Sequence, residues 1–168
     1  MSESTPLWLS LLRTKIGTHE LPGAGFNPWI RSLWMELKGG AWYWKAYGQD
    51  DSLLPWCGAA CAWALQRSKQ PFPVRYASAL AWLDWGVACG PELGAVAILR
   101  RKGGGHVGFV DAVSPDGMYV RLVGGNQDDQ VSARWFSFDR IEGYRKPPGV
   151  MLTAAAVLPA GQTSYSQA

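Results

Sequence analysis

Cys57 and His106 are the two side chains whose types and settings could do covalent chemistry together. Cys57 lies in Pro55-Trp56-Cys57-Gly58-Ala59-Ala60-Cys61-Ala62-Trp63, where a thiol opens an apolar helix of small residues. His106 follows Gly103-Gly104-Gly105 and opens the run Val107-Gly108-Phe109-Val110, which reads as a strand. A thiol hydrolase needs its thiolate at a helix N-terminus and an imidazole reaching it from a neighbouring strand. The chain has two histidines, so for a cysteine enzyme the choice of base is nearly forced. A free thiol is mostly protonated near neutral pH; a helix N-terminus lowers its pKa and an imidazolium lowers it further. The Cys57 N–H points toward the same space and is a candidate oxyanion donor. A second donor must come from elsewhere, and Gln49 and Tyr43 in the preceding loop are the candidates.

The turn after His106 suggests the third member of the site. Ser114-Pro115-Asp116-Gly117 suits a three-residue hairpin loop, a type I turn followed by a left-handed glycine. In that register Ser114 pairs with Met118 and His106 lies opposite Asn126, on the same face of the sheet. The Asn126 side-chain carbonyl would accept from one ring nitrogen and leave the other for Cys57, a Cys-His-Asn arrangement. A two-residue loop would place Gly125 there instead.

Helices come first along the chain and strands second. Thr5-Pro6 leads into an amphipathic helix with Trp8, Leu11, Leu12 and Ile16. After the loop Leu21-Pro22-Gly23-Ala24-Gly25, Asn27-Pro28 caps a second helix that Gly39-Gly40 stops. Residues 41–55 read as an aromatic loop. The Cys57 helix runs to about Gln70, before Pro71 and Pro73, and a short helix begins at Ser78. Ala95–Leu99, His106–Val113, Met118–Val123, Val131–Phe138 and Ile141–Lys146 then alternate with the period of strands. That order predicts an α+β fold, N-terminal helices packed on a C-terminal antiparallel sheet of about five strands. One domain over 5–148 is expected, followed by a poorly ordered tail over 149–168.

Composition narrows the function. In 168 residues, 48% hydrophobic and 17% charged content describe a globular chain with a real core. A net charge of +3 is too mild to argue for nucleic acid, and no nucleic-acid recognition motif is present. Cysteines at 57, 61 and 89 do not form a disulfide framework. Met1-Ser2-Glu3-Ser4 lacks the features of a signal peptide, so synthesis in the cytoplasm is expected. The apolar run Val150–Leu158 is too short to span a bilayer, and stable membrane insertion is not expected.

Other residues carry competing readings. Trp42, Tyr43, Trp44 and Tyr47, with Trp56, could form a wall that stacks on glycan, or be core. Arg100-Arg101-Lys102 at a hairpin tip is ordinarily a solvated turn, and Arg101 could instead meet a carboxylate of the substrate. Cys61, one helical turn beyond Cys57, and Cys89 read as structural. Glu20 reads as fixing its own loop, and Asp51 as an N-terminal charge near the Cys57 helix. Cys57, Cys61, His19 and His106 fit no standard zinc spacing, so neither a metal nor an organic cofactor is expected.

These motifs, in order, resemble the CHAP-type (cysteine, histidine-dependent amidohydrolase/peptidase) and NlpC-like peptidoglycan hydrolases of phages and bacteria. The likeness is carried by Ile16-Gly17-Thr18-His19-Glu20-Leu21-Pro22-Gly23, Asn27-Pro28, Pro55-Trp56-Cys57-Gly58-Ala59, Gly94-Ala95-Val96-Ala97, Gly105-His106-Val107-Gly108-Phe109-Val110, Gly124-Gly125-Asn126-Gln127 and Gly143-Tyr144-Arg145. It spans roughly residues 8 to 147. The resemblance implies a papain-like fold, a Cys57 nucleophile, a His106 base and Asn126 as the orienting residue. Many CHAP enzymes carry an acidic residue near the third position, where this chain has glycines before Asn126. The implied substrate is an amide or peptide bond of peptidoglycan, cut in the periplasm or cell wall. An endolysin would reach it through a holin. An interbacterial effector would be delivered by a secretion system and would need an immunity protein as partner. The alternatives are a non-catalytic wall-binding module and a cysteine hydrolase of another amide.

Overall fold

The computed structural model describes residues 4–21 and 25–161, so Pro22-Gly23-Ala24 of the expected loop and residues 162–168 of the expected tail lie outside the described residues. Four α-helices come first: α1 (Leu7–Arg13), α2 (Pro28–Glu36), α3 (Gly40–Ala46) and α4 (Cys57–Arg67). A 3-10 helix follows at Ala79–Asp84. The strands are β1 (Val87–Ala88), β2 (Val96–Arg101), β3 (Gly104–Val113), β4 (Tyr119–Gly124), β5 (Ser132–Ser137), β6 (Ile141–Lys146) and β7 (Ala156–Val157). The fold is the α+β arrangement expected for a papain-like domain, with the five anticipated strands joined by the short β1 and β7.

The sheet runs in the order β1-β6-β2-β3-β4-β5, every neighbour antiparallel. β7 adds in parallel to the end of β3, with Ala112 opposite Ala156 and Val113 opposite Val157. Part of the expected tail, 149–168, thus lies against the sheet. Glu92 bridges Ala154, Ala155 is buried, and the Leu158 N–H donates to the Val113 carbonyl at 2.9 Å. Apolar residues of that run satisfy a sheet edge, which their lack of charge alone did not reveal.

α2 begins where Asn27-Pro28 placed it: the Asn27 side chain accepts from the Trp29 N–H at 2.9 Å, with proline in the first turn. The aromatic loop is a partial miss. Its first half is α3, entered from Gly39 at φ 78°. The helices pack on one sheet face through Ile30, Leu33, Trp34, Ala59, Ala60 and Trp63, against Ile98, Val107, Phe109 and Val123. Across the sheet a second core holds Leu99, Val110, Leu122 and Phe136. Arg13 of α1 and Arg121 of β4 both pair with the buried Asp111, pinning α1 to the sheet. Nine successive residues of α4, Cys57 to Leu65, are buried. A helix buried on all sides tolerates only small residues where it meets its neighbours closely. A Cβ on Gly58 would lie 2.0 Å from the Tyr76 carbonyl oxygen, so only glycine lets the first turn of α4 sit there.

The β3–β4 hairpin departs from its expected turn and then recovers the expected register. The Ser114 N–H donates to the Tyr119 carbonyl at 2.9 Å, so four residues form the loop instead of three. Near the turn Val113 opposes Val120 and Ala112 opposes Arg121. Asp111 is then an extra residue in β3, and beyond it Val110 opposes Leu122 and Phe109 opposes Val123. The bulge cancels the one-residue error of the turn. Toward the site, the strands therefore run in the register that aims His106 at the 126 region.

Candidate active site

Cys57 is the first residue of α4, and its thiol is almost wholly enclosed, the residue being 3% exposed. Around it, the amide N–H groups of Cys57 and Gly58 approach the sulfur, as does the N–H of Val107. Val110 exchanges backbone hydrogen bonds with the β2 side of the sheet, at Gly94 and Ala95. By alternation, the Val107 N–H points to the other edge of β3. There the β4 ladder has ended at Phe109–Val123, so this N–H is left for the thiol. The sulfur thus enters the sheet plane where β3 and β4 part, one residue from His106.

Burial pushes the Cys57 thiol up, and the Val107 amide, the Arg101 charge and the helix amides oppose this without overcoming it. The expectation of a thiol acidified by its helix is corrected: desolvation outweighs the helix terminus here. His106 is 1% exposed. Burial lowers its pKa to about 4, partly opposed by its hydrogen bond to Gln127 and reinforced by Arg101 and Arg140. The resting pair is therefore thiol and neutral imidazole.

Gln127 takes the place expected of Asn126. The His106 Nε2 lies 2.9 Å from Gln127 Oε1, and a carbonyl oxygen accepts, so Nε2 carries the proton. The amide cannot turn over. Its Nε2 donates to the Leu122 carbonyl at 3.2 Å and to the Ser132 carbonyl at 2.9 Å. Ser132 Oγ in turn donates to the Gln127 carbonyl at 3.2 Å. The other ring nitrogen, Nδ1, is buried and has no hydrogen-bond partner. The ring lies against Phe136, centroids 5.9 Å apart. Asn126 misses the ring because it is left-handed, at φ 57°, which breaks the alternation and turns the next side chain inward. A Cβ on Gly125 would fall 2.6 Å from the Trp56 ring, so glycine is required for this segment to pass under α4. The signal for Gln127 was present in Gly124-Gly125-Asn126-Gln127, but pairing arithmetic assumes that the ladder continues.

Glu20 is the second residue whose role the sequence did not disclose. Residues 17–20 lie along 129–131, with the Glu20 N–H donating to the Asp129 carbonyl at 2.9 Å. From there Glu20 Oε1 accepts from the Trp56 indole N–H at 2.8 Å, bracing the residue just before the thiol. Partial burial raises its pKa to about 6 despite that hydrogen bond, with Asp129, Asp51 and Asp50 adding to the rise. Asp51 is fully buried and accepts from the Asn27 N–H at 2.6 Å, so it ties α2 to the loop before α4.

A cavity of about 460 Å³ opens on Cys57. Pro55 and residues 77–80 form one wall, and Arg101 through Gly105 the other. Gly103 and its neighbours thus leave the approach to the thiol open, as expected. Arg101 is at the cavity, but the two candidate oxyanion side chains are not. Gln49 is exposed and left-handed at φ 59°. The Tyr43 ring packs on Trp34 and Tyr76, and it lines a separate cavity of about 220 Å³ that shares Pro55, Ala77 and Ser78. The aromatic wall divides likewise. Trp56 and Trp44 are core residues, 0% and 3% exposed, so neither can stack on a substrate. Trp42 is exposed and edge-on to Tyr43, outside the cavity at Cys57. Cys61 is buried in the core, as read from its helix position. Among the described residues, no three His, Cys, Asp or Glu side chains are grouped to hold a metal ion. No described helix is long and apolar enough to cross a membrane.

Neither a curated protein nor a solved structure matches the chain. The model of one family does match, over residues 28–126, which is more than half the chain and includes Cys57 and His106. With a helix-borne cysteine and a strand-borne histidine on a papain-like α+β frame, the chain belongs to the CHAP domain family, the cysteine, histidine-dependent amidohydrolases/peptidases.

Proposed function

We propose that this protein is a cell-wall hydrolase that cleaves an amide or peptide bond of bacterial peptidoglycan by covalent thiol catalysis. One observation supports this most directly. A buried imidazole has one nitrogen locked by a buried amide and its other nitrogen unpartnered, and the adjoining residue, Val107, gives its backbone N–H to the Cys57 thiol. An unsatisfied buried nitrogen is costly, and such sites are kept where a proton must move.

In this reading Cys57 Sγ attacks the scissile carbonyl carbon as its proton passes to His106 Nδ1. The resting pair is neutral, so transfer accompanies attack. The Cys57 N–H donates to the oxyanion. Collapse of the tetrahedral species breaks the C–N bond, and the imidazolium gives its proton to the leaving amine. Water then attacks the thioester, losing a proton to His106, and releases the acid and the thiol. Gln127 holds the ring throughout, accepting from Nε2–H. Delivery through a phage holin or a bacterial secretion system brings such an enzyme to its wall substrate.

The test is a digest of purified Gram-negative sacculi with the wild-type protein and Cys57→Ala, followed by mass spectrometry of released fragments. New fragments from the wild type alone are expected, and their masses identify the bond. Equal release by a folded Cys57→Ala protein, or none by either, overturns the reading.

A further inference from the structure

The cavity over Cys57 is chemically two-sided. Pro55, Ala77, Ala79 and Leu80 make one wall largely apolar, with Ser78 the polar residue in it, and the opposite wall is the tip of the β2–β3 hairpin, where Arg101 opposes Gly104. Arg101 and Lys102 are the charged residues lining it, and no acidic side chain does so among the described residues. Its volume, about 460 Å³, suits a peptide-sized group. Arg101 is half-buried, so its charge is only partly screened there. Its field reaches the chemistry: it favours the Cys57 thiolate and disfavours the His106 imidazolium. A cation beside a general base costs base strength. That placement is useful if the cation binds something anionic during turnover.

We propose that this cavity is a carboxylate-recognition subsite, so that the preferred substrate bears a free carboxylate beside the scissile amide and rests its alkyl part on the opposite wall. A guanidinium pairs with a carboxylate through two parallel hydrogen bonds, and Lys102 adds a second positive charge. A bound carboxylate also offsets the Arg101 charge felt by His106, which makes the imidazole a better base once substrate is in place. An amidated analogue loses both effects. The idea rests on the proposed hydrolysis for its biological meaning, but its first test does not need turnover.

Cys57 alkylation by iodoacetate and by iodoacetamide compares an anion with a neutral reagent of similar size. The full chain is treated at pH 7, and the rate at Cys57 is followed by peptide mass spectrometry, which separates it from Cys61 and Cys89. The iodoacetate-to-iodoacetamide rate ratio is expected to fall at least about fivefold in Arg101→Gln/Lys102→Gln, and to fall with added salt in the wild type. Because any change in thiol pKa alters both rates, the ratio isolates anion recruitment. An unchanged ratio, or exclusion of both reagents from Cys57, overturns the subsite. Paired stem peptides, free acid and amidated, then test selectivity: the wild type is expected to prefer the acid by about tenfold in kcat/KM, and equal cleavage overturns the proposal. Cleavage of sacculi with no anion preference sinks the subsite and leaves the hydrolase. Anion preference without cleavage of sacculi sinks the hydrolase and leaves the subsite.

Discussion

At the scale of single residues, the site depends on an amide that cannot rotate. Gln127 spends its side-chain N–H groups on Leu122 and Ser132 and so presents only oxygen to His106. That fixes the tautomer, with Nδ1 as the basic nitrogen. Gln127→Ala is therefore expected to lower kcat about 10–100-fold with little change in KM, in line with removal of a group that orients a catalytic ring. Asn126→Ala should stay within about twofold of wild type, since no hydrogen bond joins it to the ring. Steady-state kinetics on solubilised wall fragments decide between them, with circular dichroism confirming that both variants fold. A larger loss from Asn126→Ala would return the third position to that residue.

At the scale of elements, the seating of α4 matters more than its intrinsic helix strength. Its first turn touches the Tyr76 carbonyl at Gly58 and is braced through Trp56 by Glu20. Gly58→Ala adds a methyl group where backbone lies 2.0 Å away, so the helix must shift. The expected cost is about 1–3 kcal/mol, although alanine is the better helix former. Chemical denaturation measures this, and activity should fall more than stability alone explains because Cys57 moves with the helix. A stabilised Gly58→Ala protein would show that helix propensity governs here. The β3–β4 hairpin shows compensation of another kind. Its longer turn and the bulge at Asp111 offset one another, so the site end keeps its register.

At the scale of the whole molecule, a neutral buried histidine couples folding to pH. His106 has a folded pKa of about 4 against an ordinary value of 6.5. Above pH 6.5 neither state is protonated and stability is at its full value. Between 6.5 and about 4 the unfolded chain binds a proton that the native chain refuses, so stability falls as pH drops, by about 3 kcal/mol once below 4. Glu20 works in the opposite sense over a narrower window. Its folded pKa is raised from 4.5 to about 6, so the native state gains relative stability as pH falls through that interval. Urea denaturation of the wild type and His106→Gln from pH 7.5 to 4 separates the two. The wild type should lose stability relative to the variant across this range, and parallel curves would contradict a neutral buried His106.

Local chemistry determined much of this protein in advance. A thiol before small helix formers, a histidine behind glycines, and the switch from helical to strand periodicity are properties of short segments, so they are legible without coordinates. They located α4, with Cys57 at its start, β3, which carries His106, and the α+β order. Tertiary structure decided what depends on distant neighbours. Gln127 displaced Asn126 because the ladder ends and the chain turns left-handed at position 126. Trp44 and Trp56 became core because helices cover them, and residues 154–157 pair with the sheet because β3 offers an open edge there. The thiol was raised instead of lowered because enclosure removes water that no helix terminus replaces. Residue type and spacing state which groups are available. Burial and register, which are sums over the whole chain, decide which of them meet.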